Sequence, residues 1–195
     1  MPDTSVRCGW SCGGPRFETK VNLFVLSLFL LTAIYSRATT LPDACGGDKI
    51  RFDVKTQKNP PALAPPAAGK AQIVFVENFA QNEGFCVDCK VTTRVGVDGA
   101  WAGANHGNSY FAYPIDPGEH HLCADWQSNL GSFKKKVGLA SLNAEADKVY
   151  YYEIKVRIKR NERTTEQYLD LTPLDPDEGK YLAKIDPMAI ATAKK

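Results

Sequence analysis

YYYEIKVRIK, residues 150–159, alternates in polarity along its whole length. Tyr150, Tyr152, Ile154, Val156 and Ile158 form one row, and Tyr151, Glu153, Lys155, Arg157 and Lys159 the other. Successive side chains of a strand point to opposite faces of a sheet, so this pattern predicts a half-buried β-strand with Tyr150 and Tyr152 turned inward. Similar signals recur on either side of it at short, regular spacing. Val91, Thr93, Val95 and Val97 alternate as far as Asp98-Gly99, a pair that accepts the positive φ of a tight hairpin, and Ala100 to Ala104 return. Asn105-His106-Gly107-Asn108 reads as a loop, and Phe111, Tyr113 and Ile115 as the next inward row. Asp116-Pro117-Gly118-Glu119 has the type II turn pattern, and Leu122, Ala124 and Trp126 face inward on the partner strand. Ile73 to Val76, Phe133 to Leu142 and Thr164 to Leu174 add further strands, and Pro176 to Ala183 one short helix. The reading is all-β: an antiparallel β-sandwich or open barrel of about seven to nine strands, preceded by one N-terminal signal helix.

The ends of the chain read differently from this middle. Val21 to Ile34 is an uncharged run of mostly Leu, Val, Ile and Phe, preceded by Arg16 and Lys20 and followed by Ser36-Arg37-Ala38. A run of about 14 apolar residues is short for a membrane span, which needs about 20, and suits a secretory signal cleaved after Ala38. The alternative is an uncleaved anchor over residues 21–36. The leader before Val21, with Cys8, Trp10 and Cys12, is unusual for a signal, and the natural start is expected downstream of residue 1. Lipid attachment at Cys45 is disfavoured, because Pro42 and Asp43 stand where a lipobox carries Leu and a small residue. The expected organisation is therefore a signal peptide over 1–38, an arm over 39–58 with a short strand at Ile50, Phe52 and Val54, and a Pro-rich linker over 59–69. The β-sandwich follows over 70–186, with a loose tail over 187–195.

Charge narrows the partners. The chain has 24 Lys and Arg against 22 Asp and Glu, but residues 1–38 hold four of the former and two of the latter. The mature part, about 157 residues, is formally neutral, which argues against nucleic acid, since phosphate binding needs a basic excess.

The run TTRVGVDGAWAGANHGNSYFAYPIDPGEHHLCADWQ, with AEADKVYYYEIKV and LDLTPLDPDEGKYLA after it, resembles an exported bacterial domain family of unknown function. The likeness spans roughly residues 70–183 and rests on the Asp-Gly hairpin, the Gly-Asn-Ser-Tyr segment and the Pro-Gly-Glu-His turn. It implies an exported β-sandwich found in lipoproteins and small periplasmic proteins. It implies no activity, so no catalytic residue is carried over. Phe85-Cys86-Val87-Asp88-Cys89 departs from the family pattern.

Four cysteines follow the signal: Cys45, Cys86, Cys89 and Cys123. In an exported protein an even count reads as disulfides. Cys86 and Cys89 are close enough for a local bridge, which leaves Cys45 for Cys123. Cys123 alternates with the inward Leu122 and Ala124, so it lies on an outer face where an N-terminal arm can dock. Such a bridge is worth about 2–4 kcal/mol. A redox role for Cys-Val-Asp-Cys would need the motif at a helix N-terminus, and no βαβ pattern surrounds it.

His106, His121 and Asp125 are the residues from which a metal site could be drawn, although their spacing does not demand one. His120, next to His121, faces the other way. No Gly-x-Ser-x-Gly elbow, phosphate loop or HExxH motif appears, and Ser109 has no evident base. Tyr110, Tyr151 and Tyr168 fall on outward positions and Trp101 sits beside the Asp-Gly hairpin; aromatic faces of this kind can stack on sugar rings. The expected function is that of an exported, non-catalytic interaction module in the periplasm or cell envelope, not an enzyme and without a cofactor. Its partner would be an envelope protein or a glycan, with membrane contact only through an uncleaved signal segment. The alternative is a carbohydrate-binding module using Trp101, Tyr110 and Tyr151; a metalloprotein or enzyme built on His106 and His121 ranks last.

Overall fold

Strand β9, Val149–Arg160, is the alternating run that the sequence marks most strongly, and it lies inside a seven-stranded sheet. The computed structural model describes residues 42–78, 91–127, 134–160 and 165–194. The expected signal helix, Cys86 and Cys89 lie outside the described residues. The other elements are β1 (Phe52–Gln57), β2 (Ala71–Glu77), β3 (Thr92–Val97), β4 (Ala100–His106), β5 (Ser109–Ile115), β6 (Gly118–Trp126), β7 (Lys134–Lys136), β8 (Gly138–Ala144), β10 (Thr165–Pro173), helix α1 (Pro176–Ile185) and β11 (Met188–Ala193). The large sheet runs β1-β11-β5-β2-β9-β10-β7 and the small one β4-β3-β6-β8.

The main core fills the space between the sheets. Ile73, Phe75, Phe111, Ile115, Tyr152 and Ile154 come from the large sheet, and Val95, Val97, Leu122, Ala124 and Trp126 from the small one. Each fully buried side chain of this size contributes about 1.5–3 kcal/mol. The buried tyrosine keeps its polar end satisfied: the Tyr152 hydroxyl donates to the Ser141 carbonyl at 3.0 Å. Strand β2 is buried on both faces, which explains its unbroken IVFV run. Its second face, with Val74 and Val76, joins Tyr110, Tyr151 and Ala183 in a smaller core under α1.

Helix α1 starts where its sequence says it should. The Asp175 carboxylate accepts from the Asp177 N–H at 2.9 Å, Pro176 follows the cap, and Asp177 and Glu178 sit in the first turn. Gly179 packs on Tyr151 so closely that a Cβ would lie 2.2 Å from the ring Cγ, which leaves glycine as the residue that lets the helix settle there.

Several expectations change. The described residues hold eleven strands, not seven to nine, arranged as a two-sheet sandwich. The large sheet is mixed rather than antiparallel: β2 runs parallel to β9, β5 to β11 and β7 to β10. Parallel neighbours are joined by long crossovers, which leave no turn signature in the sequence. Residues 187–195 are not a loose tail as far as Ala193, because β11 pairs with β1 from Phe52↔Ala193 to Gln57↔Met188. The single strand expected from Phe133 to Leu142 divides into β7 in one sheet and β8 in the other. Gly138 stands at that corner, where a Cβ would meet the Leu169 carbonyl oxygen at 3.0 Å. The Pro-rich stretch lies against the protein, with Leu63 packed into the smaller core.

Candidate functional site

Residues 42–51 run as a strap across the outer face of the small sheet. A turn starts it, with the Cys45 N–H donating to the Pro42 carbonyl at 2.8 Å. Cys45 is then bonded to Cys123 on β6, the pairing that strand parity predicts, across 78 residues of sequence and a Cα–Cα distance of 5.2 Å. Disulfides of this kind persist in oxidising compartments, in keeping with export. Beneath the strap, Gly96 is bare because a Cβ would meet the Ala44 carbonyl oxygen at 2.9 Å. Asp98 and Gly99 take φ of 50° and 83°, the positive pair that a type I′ hairpin requires, and the Gly99 N–H donates to the Ala44 carbonyl at 3.2 Å.

Arg94 fastens the far half of the strap. It is 3% exposed, forms an ion pair with Asp125, and donates to the carbonyls of Asp48 at 3.2 Å and Ile50 at 2.6 Å. Its guanidinium carbon lies 4.2 Å from the centre of the Trp101 ring, a cation–π arrangement. The Trp101 indole N–H donates to the Gly47 carbonyl at 2.9 Å. The strap ends where the Gln127 side chain binds both backbone groups of Phe52, at 2.6 and 2.7 Å, delivering the chain into β1.

This arrangement reassigns the aromatic residues. Tyr110 and Tyr151 do lie on the sheet face away from the main core, but α1 and Leu63 cover that face, leaving them 1% and 5% exposed. Trp101 is occupied by the strap and Arg94. The three do not form a sugar-stacking platform. Nor does the structure bring His106, His121 and Asp125 together. Asp125 is held by Arg94, His106 Nδ1 lies 2.7 Å from the Thr92 hydroxyl on β3, and His121 is exposed on β6. Among the described residues no three His, Cys, Asp or Glu side chains are placed to hold a metal.

The concavity with both a covalently fixed wall and an apolar floor lies beside the strap. Pro42, Asp43 and Ala44 form the wall, Leu139 the floor, and Asp98 and His121 the rim of a groove of about 550 Å³, with the inward-facing pair Leu122 and Ala140 behind it. Leu139 is 53% exposed there. Asp98 is committed at both oxygens: the His121 N–H donates to one at 2.8 Å, and His120 Nδ1 lies 2.6 Å from the other. His120 Nε2 lies 2.7 Å from the Asp116 carbonyl oxygen. Both ring nitrogens therefore face acceptors, which only the doubly protonated imidazolium can satisfy. Burial works against that charge, but the hydrogen bonds to Asp98 and Asp116 and the charges of both residues outweigh it and raise the His120 pKa. Burial likewise opposes ionisation of Asp98, yet the His121 N–H and the His120 ring lower its pKa overall.

A pH dependence follows. The His120 contribution is complete below the ordinary histidine value of 6.5 and is lost as pH rises through its raised folded value. The Asp98 contribution is complete above 3.8 and is lost as pH falls through its lowered folded value. Both are in place between 3.8 and 6.5. Thermal melts of the wild type and His120→Ala across pH are expected to differ most in that window and to converge at alkaline pH.

Sequence reasoning missed Arg94, which carries the strap, and Glu77. Arg94 alternates with inward valines and looks like any outward cation; nothing local announces the strap above it. Glu77 had a signal, since it ends the IVFV run in the same parity as Ile73 and Phe75. The chain matches no protein-family model, no curated protein and no solved structure. What fold and site define is a class: an all-β, two-sheet sandwich with a disulfide-fastened N-terminal strap. Among the described residues no helix is long and apolar enough to cross a membrane.

Proposed function

We propose that this protein is an exported, non-catalytic interaction module of the cell envelope, and that it meets its partner in the groove beside the strap. One observation carries this reading: the groove wall is locked by Cys45–Cys123 next to an apolar floor that leaves Leu139 half exposed. A pre-organised wall lowers the ordering cost of binding, and an apolar floor with a few polar rim groups is the usual composition of a binding site. The resemblance to exported β-sandwich domains points the same way. Leu139 below Asp43 and His121 suits an extended polypeptide segment of an envelope protein, with an apolar side chain on the floor and polar groups at the rim. With Tyr110 and Tyr151 buried and Trp101 under the strap, these three residues offer a glycan no stacking platform.

Retention of the exported protein on washed envelopes of its host tests this. Leu139→Glu, a change at a solvent-facing position, is expected to lower retention by about tenfold or more, corresponding to about 1.4 kcal/mol. Lys55→Glu on β1 serves as the control and is expected to leave retention unchanged. Equal retention of the wild type and Leu139→Glu overturns the groove as the contact surface. Turnover of an envelope polymer by the purified protein overturns the non-catalytic reading.

A further inference from the structure

Four polar side chains are buried between the sheets at the end where β2 stops and β3 begins. Glu77, Thr93, Asn105 and Ser109 are each 0% exposed. They come from four strands and meet in pairs: Glu77 is the register partner of Ser109 across β2 and β5, and Thr93 that of Asn105 across β3 and β4. The Thr93 hydroxyl donates to Glu77 Oε2 at 2.7 Å, joining the two sheets. Asn105 Nδ2 reaches from the small sheet to the Ser109 carbonyl at 2.6 Å and the Phe75 carbonyl at 3.3 Å. Among the described residues two oxygens of this cluster have no partner, Glu77 Oε1 and Asn105 Oδ1.

Both are acceptors, and a buried acceptor without a donor is costly, more so when it carries charge. Among the described residues no cation pairs with an ionised Glu77. Arg94 and Asp125 project from the opposite face of the small sheet and pair with each other, and Glu153 and Lys155 do the same on the far face of β9. His106, next to Asn105, turns to Thr92. Burial accordingly pushes the Glu77 carboxyl well above its ordinary value, opposed only by the Thr93 hydroxyl.

We propose that Glu77 is a neutral carboxylic acid in the native protein, with its proton on Oε1 donated to Asn105 Oδ1, and that this shared proton latches the two sheets at this end of the sandwich. One proton turns one unpartnered oxygen into a donor and satisfies the other. The latch is pH-sensitive in a direction opposite to that of Asp98. Its contribution is complete below 4.5 and is lost as pH rises through the raised folded value, when a carboxylate would stand in the core.

Carbon NMR of the wild type with labelled glutamate carboxyls tests the proton directly. At about pH 7 a free glutamate is ionised about 500 to one, so one carboxyl resonance at the protonated position, absent from Glu77→Gln, is the expected result. A Glu77 resonance at the ionised position at that pH overturns the proposal, whether or not any variant folds. Glu77→Gln keeps a donor for Asn105 and an acceptor for Thr93 without a titrating proton. Wild-type stability is expected to fall relative to it as pH rises above 4.5; a constant difference overturns the latch. In Asn105→Ala the neutral acid loses its acceptor, so the Glu77 midpoint is expected to move down. An unchanged midpoint overturns the assignment of the proton to Asn105.

Discussion

Arg94→Ala is expected to destabilise the protein by about 3–5 kcal/mol, the usual cost of removing one partner of a buried ion pair. Asp125, with its side chain 13% exposed, would lose the guanidinium it pairs with. The Asp48 and Ile50 carbonyls would lose the guanidinium donor, and the face of Trp101 its cation. Urea denaturation followed by tryptophan fluorescence measures the loss. Arg94→Lys is expected to recover only part of it, because a point ammonium cannot reproduce a planar fork that serves a carboxylate and two carbonyls at once. Replacing the pair together, Arg94→Met with Asp125→Leu, removes the unpaired charge but still leaves the two strap carbonyls without their donor. An Arg94→Ala loss below about 1 kcal/mol, the level of a surface ion pair, would show that Arg94 does not hold the strap.

Removing the bridge by Cys45→Ala with Cys123→Ala is the second large effect. The bond closes a loop of 78 residues, for which chain entropy gives about 4 kcal/mol. For a domain of this size that corresponds to a fall in Tm of roughly 8–16 °C, readable by calorimetry. The loss is not expected to add to that of Arg94→Ala. Both fasten the same strap, and residues that share a structural element couple. Once the bridge is gone, the strap's hold on the Asp98-Gly99 hairpin weakens and the wall of the groove loosens. The double-cysteine variant is therefore expected to lose envelope retention as Leu139→Glu does, while a variant in the smaller core is not.

The disulfide was legible for a local reason. Alternation places Cys123 opposite Leu122 and Ala124, and that parity survives into the structure, where Leu122 and Ala124 are core and Cys123 meets the strap. The Asp98-Gly99 hairpin was legible because its backbone demand is written in two residues. The same parity argument placed Tyr110 and Tyr151 on the face away from the main core, which is where they are. It could not reveal that α1 and Leu63 return to cover them, because a helix from residues 176–185 and a segment near residue 63 meet there only through the fold. The metal set failed similarly: His106, His121 and Asp125 share an outer surface in principle, but the register gives Asp125 to Arg94 and His106 to Thr92.

Strand β9, which alternates most clearly, marks the division. By itself the sequence determined that residues 150–159 form a strand, which of its residues face inward, and that the chain is built of such strands, because alternation and turn chemistry act over a few neighbouring residues. Of the three pairings open to four cysteines, strand parity also favoured the one that joins Cys45 to Cys123. Only the tertiary structure decided that β9 lies parallel to β2, that a strap crosses the small sheet under Arg94 and Trp101, and that Glu77 is sealed between the sheets. Those outcomes depend on contacts between segments tens of residues apart. Their free energy comes from burial and pairing that exist once the chain has folded, and no local pattern encodes it.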